Sequence, residues 1–167
     1  MSTRKYWRYH MADRRINIDK AQDEFIDRLR NTEEGIGPFS LKVDVLAFAA
    51  SYGATLGIFK PLGETTKSPI RQDVFDSHNY GNLFDLLAVY KTGDSAVLDS
   101  SEEAQDHRAR IFEEYAKAGL ERMEHESTGS VDLTDYALSL VAKYRSDKGI
   151  TAPGAPLGID LTDLLEE

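Results

Sequence analysis

The chain contains no cysteine. Disulfides, thiolate nucleophiles and cysteine-held zinc are therefore excluded. Histidine is sparse, with four residues, and tryptophan occurs once. Long apolar runs are missing too. The richest, Val45 to Ile58, has 14 residues and includes Ser51 and Thr55, which is the length of a core helix and too short for a bilayer. The opening Met-Ser-Thr-Arg-Lys-Tyr-Trp-Arg has no apolar stretch behind it, so no secretory leader is expected and the expected location is the cytoplasm. Positive charge is in deficit: 20 Lys and Arg stand against 29 Asp and Glu, for a net charge of −9. An acidic body repels phosphate backbones, which argues against wholesale nucleic-acid binding.

The deficit is uneven. Residues 1–20 hold six bases and two acids, a local +4 that leaves −13 on the other 147 residues. Hydrophobic residues make up 41% and charged residues 29%, values ordinary for a soluble globular chain. At 167 residues the expectation is one domain, given about 150 residues per domain. Three parts are expected: a basic, aromatic arm over 1–13, a helical domain over 14–148, and a Pro/Gly-rich acidic tail over 149–167.

Periodicity makes that domain mainly α, with five to six helices and a short N-terminal strand or extended segment. Arg14 to Ile18 alternates, with Ile16 and Ile18 on one side and Arg15 and Asn17 on the other. Asp19 caps a helix from Lys20 to Asn31 that buries Phe25, Ile26 and Leu29. Ser40 caps a helix from Leu41 to Gly57, apolar over most of its circumference and therefore central. Its small residues, Gly53 and Gly57 among them, let neighbours approach closely. Ser68-Pro69 opens a short helix burying Ile70, Val74 and Phe75. The next, Asn82 to Thr92, turns Leu83, Leu86, Leu87 and Tyr90 inward, with Gly93 past its end. Ala96 to Leu98 forms one turn. Ser100 and Glu103 fit a capping box ahead of the longest helix, Ser101 to Glu126, where Gly119 bends the helix or admits a neighbour. Asp132 caps the last, Leu133 to Ser146, whose stripe runs Leu133, Tyr136, Ala137, Leu140, Val141 and Tyr144.

Candidate chemistry is thin. Gly53-Ala54-Thr55-Leu56-Gly57 lacks the Lys-Ser/Thr pair of a phosphate loop, and no Gly-x-Ser-x-Gly elbow occurs. Glu121 and His125 lie one turn apart and can share a metal only if further ligands arrive from elsewhere; an exposed surface contact is the simpler reading. Glu102-Glu103 and Glu113-Glu114 read as solvated faces or first-turn acids. No cofactor, metal or catalytic residue is expected, and the chain reads as non-enzymatic.

A strand followed by two helices has the order of a ribbon-helix-helix module, in which two chains pair their strands and outward residues enter the major groove. On that reading Arg15 and Asn17 face bases, Arg14 and Lys20 sit near phosphates, and the protein is a homodimer. The alternative is an edge strand covering the helical body. In the tail, Leu161, Leu164 and Leu165 lie among four acids, a pattern for an arm packed on its own domain or for a peptide docking in a partner's groove. Arg71 sits in the first turn of its expected helix, unfavourable to the helix dipole, so it should have a partner such as Glu113 or Glu114, or a ligand.

Three segments taken together carry a resemblance. They are Asp44 to Gly53 (DVLAFAASYG), Ser68 to Phe75 (SPIRQDVF) leading to Asn82 to Val89 (NLFDLLAV), and Ile111 to Leu120 (IFEEYAKAGL). In this order, over about residues 14–145, the chain resembles the Dnd-system-associated protein 4 family, encoded beside bacterial DNA phosphorothioation genes. Ser68 stands where the family pattern has an acid, and Lys117-Ala118 where it has Asn-Gly. The resemblance implies an accessory role in DNA modification or anti-phage defence, with a protein component of the modification or restriction system as partner. It brings no catalytic residues.

Overall fold

A computed structural model of the 167-residue chain describes residues 14–31, 36–130 and 132–146. The arm over 1–13 and the tail residues Leu161, Leu164 and Leu165 lie outside the described residues. The fold is mainly helical, as the periodicity implied. In chain order come β1 (Arg15–Ile16), a 3-10 turn (Lys20–Gln22), α1 (Asp23–Arg28), α2 (Lys42–Thr55), β2 (Ile70–Arg71), α3 (Gln72–Ser77), α4 (Gly81–Thr92), a second 3-10 turn (Ser95–Leu98), α5 (Glu102–Glu126) and α6 (Leu133–Ser146).

Helices α2 and α5 form the centre. Nine of the twelve positions of α2 from Val43 to Ala54 are buried, because its apolar residues surround most of the axis instead of forming one stripe. It crosses α5 at small residues: a side-chain carbon added at Gly119 would stand 1.9 Å from the Ala49 carbonyl oxygen, and one at Gly53 would stand 2.4 Å from that of Tyr115. Gly53 and Gly119 thus admit the neighbour, as expected. Gly57 instead follows the helix with a left-handed φ of +65° and nothing near it.

Phe75, Phe84 and Phe112 bring α3, α4 and α5 together. Their ring centroids lie 5.5, 5.3 and 4.3 Å apart, and all three rings are fully buried. Each such contact is worth about 1 kcal/mol beyond the area it buries.

Several local expectations need correction. The helix expected over Lys20 to Asn31 is a 3-10 turn plus the six residues of α1, since the Leu29–Asn31 backbone instead bonds to Gly37 and Phe39. Leu41, with Asp44 accepting its N–H at 3.2 Å, occupies the cap position given to Ser40. Ile70 and Arg71 do not begin a helix. They pair antiparallel with Ile16 and Arg15, and α3 starts only at Gln72. Ser101, one residue later than expected, caps α5 by accepting from Ala104 N–H at 3.3 Å.

The α4 face is rotated from its expected position. Phe84, Leu87 and Ala88 are buried, while Leu86 is 65% and Tyr90 41% exposed. That helix carries more large apolar residues than one face can bury, and packing against Phe75 and Phe112 decides which go in. In α6, Asp132 caps as expected, bonding Thr134 N–H at 2.7 Å; Ala137 and Leu140 are buried and Leu133, Tyr136 and Tyr144 pack on the core, while Val141 of the expected stripe is exposed.

Candidate interaction surface

The N-terminal strand is fastened on both sides. Its partner strand is β2 of the same chain, with Arg15 opposite Arg71 in register. Arg14 donates to Asp106 and to Gln105, each at 2.7 Å. The backbone and side-chain N–H groups of Asn17 donate to one Glu113 oxygen at 2.6 and 3.1 Å. Lys20 pairs with Glu64 at 2.9 Å. Arg15, the remaining candidate DNA contact, is exposed and has no polar partner among the described residues. Arg71 does have a partner, but it is Asp73, two residues on, and not Glu113 or Glu114. Glu113 serves Asn17 instead, and burial pushes its carboxyl above the usual range against the pull of those two hydrogen bonds.

Asp19 makes the deepest ion pair among the described residues. It is almost fully buried and accepts from the Lys117 ammonium at 2.6 Å, from Gly63 N–H at 2.7 Å and from Ala21 N–H at 3.0 Å. Burial alone would raise its pKa, but these contacts together hold it below the ordinary value. One carboxylate thereby joins the N-terminal segment, the loop after α2 and α5.

A partly buried carboxylate, Glu126, fastens α6. It accepts Tyr52 O–H at 2.8 Å and Tyr136 O–H at 3.0 Å, and pairs with Arg122 at 2.5 Å. Burial opposes its charge, yet the three donors hold its pKa down, while burial and Glu126 push both tyrosine hydroxyls above their ordinary value. The rings of Tyr52 and Tyr144 meet edge-on at 5.8 Å. Sequence reading missed this cluster because its members come from three helices with no shared spacing.

Glu121, one turn before His125, is engaged by lysines. Its carboxylate pairs with Lys60 and lies 3.8 Å from Lys117. Among the described residues no three His, Asp or Glu side chains gather as a metal would need.

The described residues include three surface grooves. The first, about 680 Å³, lies between the Gly57–Lys60 segment and α5, and its charged lining is Lys60, Glu121 and Arg122 with His125. The second, about 520 Å³, runs between the Pro38–Ser40 segment, α2 and Tyr80–Leu83. Phe39 and Phe48 meet there at 5.2 Å, and Asp44, its one charged residue, accepts Tyr80 O–H at 2.9 Å. The third, about 360 Å³, is lined by Asp94, Asp99 and Glu103 with His107. Leu83 in the second groove leads along α4 to the exposed Leu86 and Tyr90, three and seven residues on. The surplus of large apolar residues in Leu83 to Tyr90 was the sequence signal for this stripe.

Together these features define a mainly helical protein whose buried charges fasten its elements and whose outward apolar residues flank shallow grooves. No described helix is long and apolar enough to cross a membrane. The chain belongs to the DNA sulphur modification system-associated protein 4 family, which it matches over residues 15–154. Membership ties it to a DNA sulphur modification system, the association its sequence motifs implied. No curated protein and no solved structure matches it.

Proposed function

We propose that the protein is a non-enzymatic accessory component that binds a larger protein of the DNA sulphur modification system. The stripe Leu83–Leu86–Tyr90 beside the Phe39–Phe48 groove carries this reading. Large apolar side chains gathered next to a groove and left in water favour a protein partner, since burying them removes apolar surface from water at about 25 cal/mol per Å². The exposure of Leu86 and Tyr90 sets them apart from Phe84 and Leu87 on the same helix, which fold stability already uses. The partner segment is apolar where it meets Leu86 and donates hydrogen bonds near Asp44.

The test is co-expression with the subunits of the modification system, followed by purification through this chain. A subunit should co-purify with the wild type and be lost with Leu86→Asp/Tyr90→Asp, whose melting should match the wild type. Equal recovery with the double variant, or no subunit recovered by either chain, overturns the proposal.

The β1–β2 ribbon favours a second reading, direct DNA contact. Arg15 and Arg71 stand side by side and exposed, a pair suited to phosphates, although Asp73 already engages Arg71. That contact would weaken steeply with salt and be lost in Arg15→Ala/Arg71→Ala.

A further inference from the structure

We infer that the groove between the Gly57–Lys60 segment and α5 is the docking site for the chain's own acidic segment, Ile159 to Glu167, acting in cis. Charge selects the groove. The segment carries Asp160, Asp163, Glu166 and Glu167 and no base. The second groove presents only Asp44, and the third presents Asp94, Asp99 and Glu103, so both repel it. The first groove instead presents cations, Lys60 and Arg122, paired with Glu121 and Glu126, within a chain of net charge −9. Lys60 is 61% and Arg122 54% exposed, so each has donors left for an incoming carboxylate beyond its bonds to Glu121 and Glu126.

Shape and pattern agree with charge. The groove offers Ile58, Ala118 and the half-exposed Phe59 as an apolar floor. Phe59 is fixed by its edge-on contact with Tyr115 and by the Lys91 ammonium over its ring. Leu161, Leu164 and Leu165 have the spacing of one helical face, with the acids on the other side, which is the pattern of a short helix laid into a groove.

Connection makes the cis arrangement economical. Tyr144, near the end of α6, packs on Tyr52; Tyr52 bonds to Glu126; Glu126 pairs with Arg122, which lines the groove. The described end of α6 is therefore linked to the groove through a few side chains. The 14 residues between α6 and Leu161 span up to about 45 Å when extended. A short tether of this kind gives a local concentration in the millimolar range, enough for a weak contact to persist.

Because the chain lacks cysteine, Glu166→Cys in the full-length protein accepts one nitroxide at the tail. Amide signals of a nitrogen-15 sample then report which surface the tail visits. Loss of intensity at Ile58–Lys60 and Ala118–His125, relieved by Leu161→Asp/Leu164→Asp and by Lys60→Glu, is the expected result. Thermal melts matching the wild type show that each variant is folded. Broadening confined to the residues flanking the label, or centred on another face, overturns the proposal. Equal mixing of nitroxide-labelled, nitrogen-14 chain with unlabelled nitrogen-15 chain gives a further check. Broadening of the groove in that mixture places the segment on a second copy and overturns the cis assignment.

Discussion

Gly119 faces the backbone of Ala49 so closely that an added side-chain carbon would lie 1.9 Å from its carbonyl oxygen. Helix propensity alone makes Gly119→Ala stabilising by about 1 kcal/mol. The crossing reverses that sign, because backbone cannot yield as a flexible side chain can. Gly119→Ala should destabilise by about 2–3 kcal/mol, read as a lower urea midpoint. A midpoint equal to or above the wild type would show that α2 and α5 separate without cost.

Asp19 and Lys117 form a pair that acid should dissolve. The Asp19 carboxyl titrates below its ordinary value of 3.8 in the folded state. Its stabilisation is therefore complete above the unfolded pKa and is lost as pH falls through the folded pKa. Asp19→Asn leaves the partly buried Lys117 with only the more distant Glu121 as counter-charge and should cost about 2 kcal/mol at pH 7. That gap should narrow below the ordinary aspartate range, where wild-type Asp19 is protonated too. Denaturant titrations at neutral and acid pH check both parts, and a gap constant across pH contradicts this account.

Tyr136→Phe removes one of three donors to Glu126. The cost should be about 1 kcal/mol, and it should be local. Amide hydrogen exchange should quicken over α6 while the middle of α5 keeps its protection. Unchanged exchange in α6 would mean that Glu126 does not hold that helix.

Adjacent leucines on α4 should behave oppositely. Leu87 is 4% exposed and Leu86 is 65% exposed. Leu87→Ala should cost about 2–4 kcal/mol by leaving a cavity, and Leu86→Ala should stay within about 0.5 kcal/mol. Thermal melts of the two variants decide whether the α4 face is oriented as described.

The amino-acid order by itself determined the helical class, most helix ends, the central place of α2 and the small-residue crossing at Gly53 and Gly119. These depend on near-neighbour effects: a cap acts within one turn, and a stripe repeats every three to four residues. The family was legible for a related reason, since its motifs are contiguous stretches of those same core helices. Tertiary structure alone decided the rest. It drew Ile70 and Arg71 into a strand with partners 54 and 56 positions earlier. It gave Arg71 to Asp73 and Glu113 to Asn17, and it joined Tyr52, Glu126 and Tyr136 across three helices. It also turned Leu86 and Tyr90 outward. A helix apolar on every side has no preferred inner face until neighbours compete for it, and ion pairs form with whichever opposite charge the packed helices bring near.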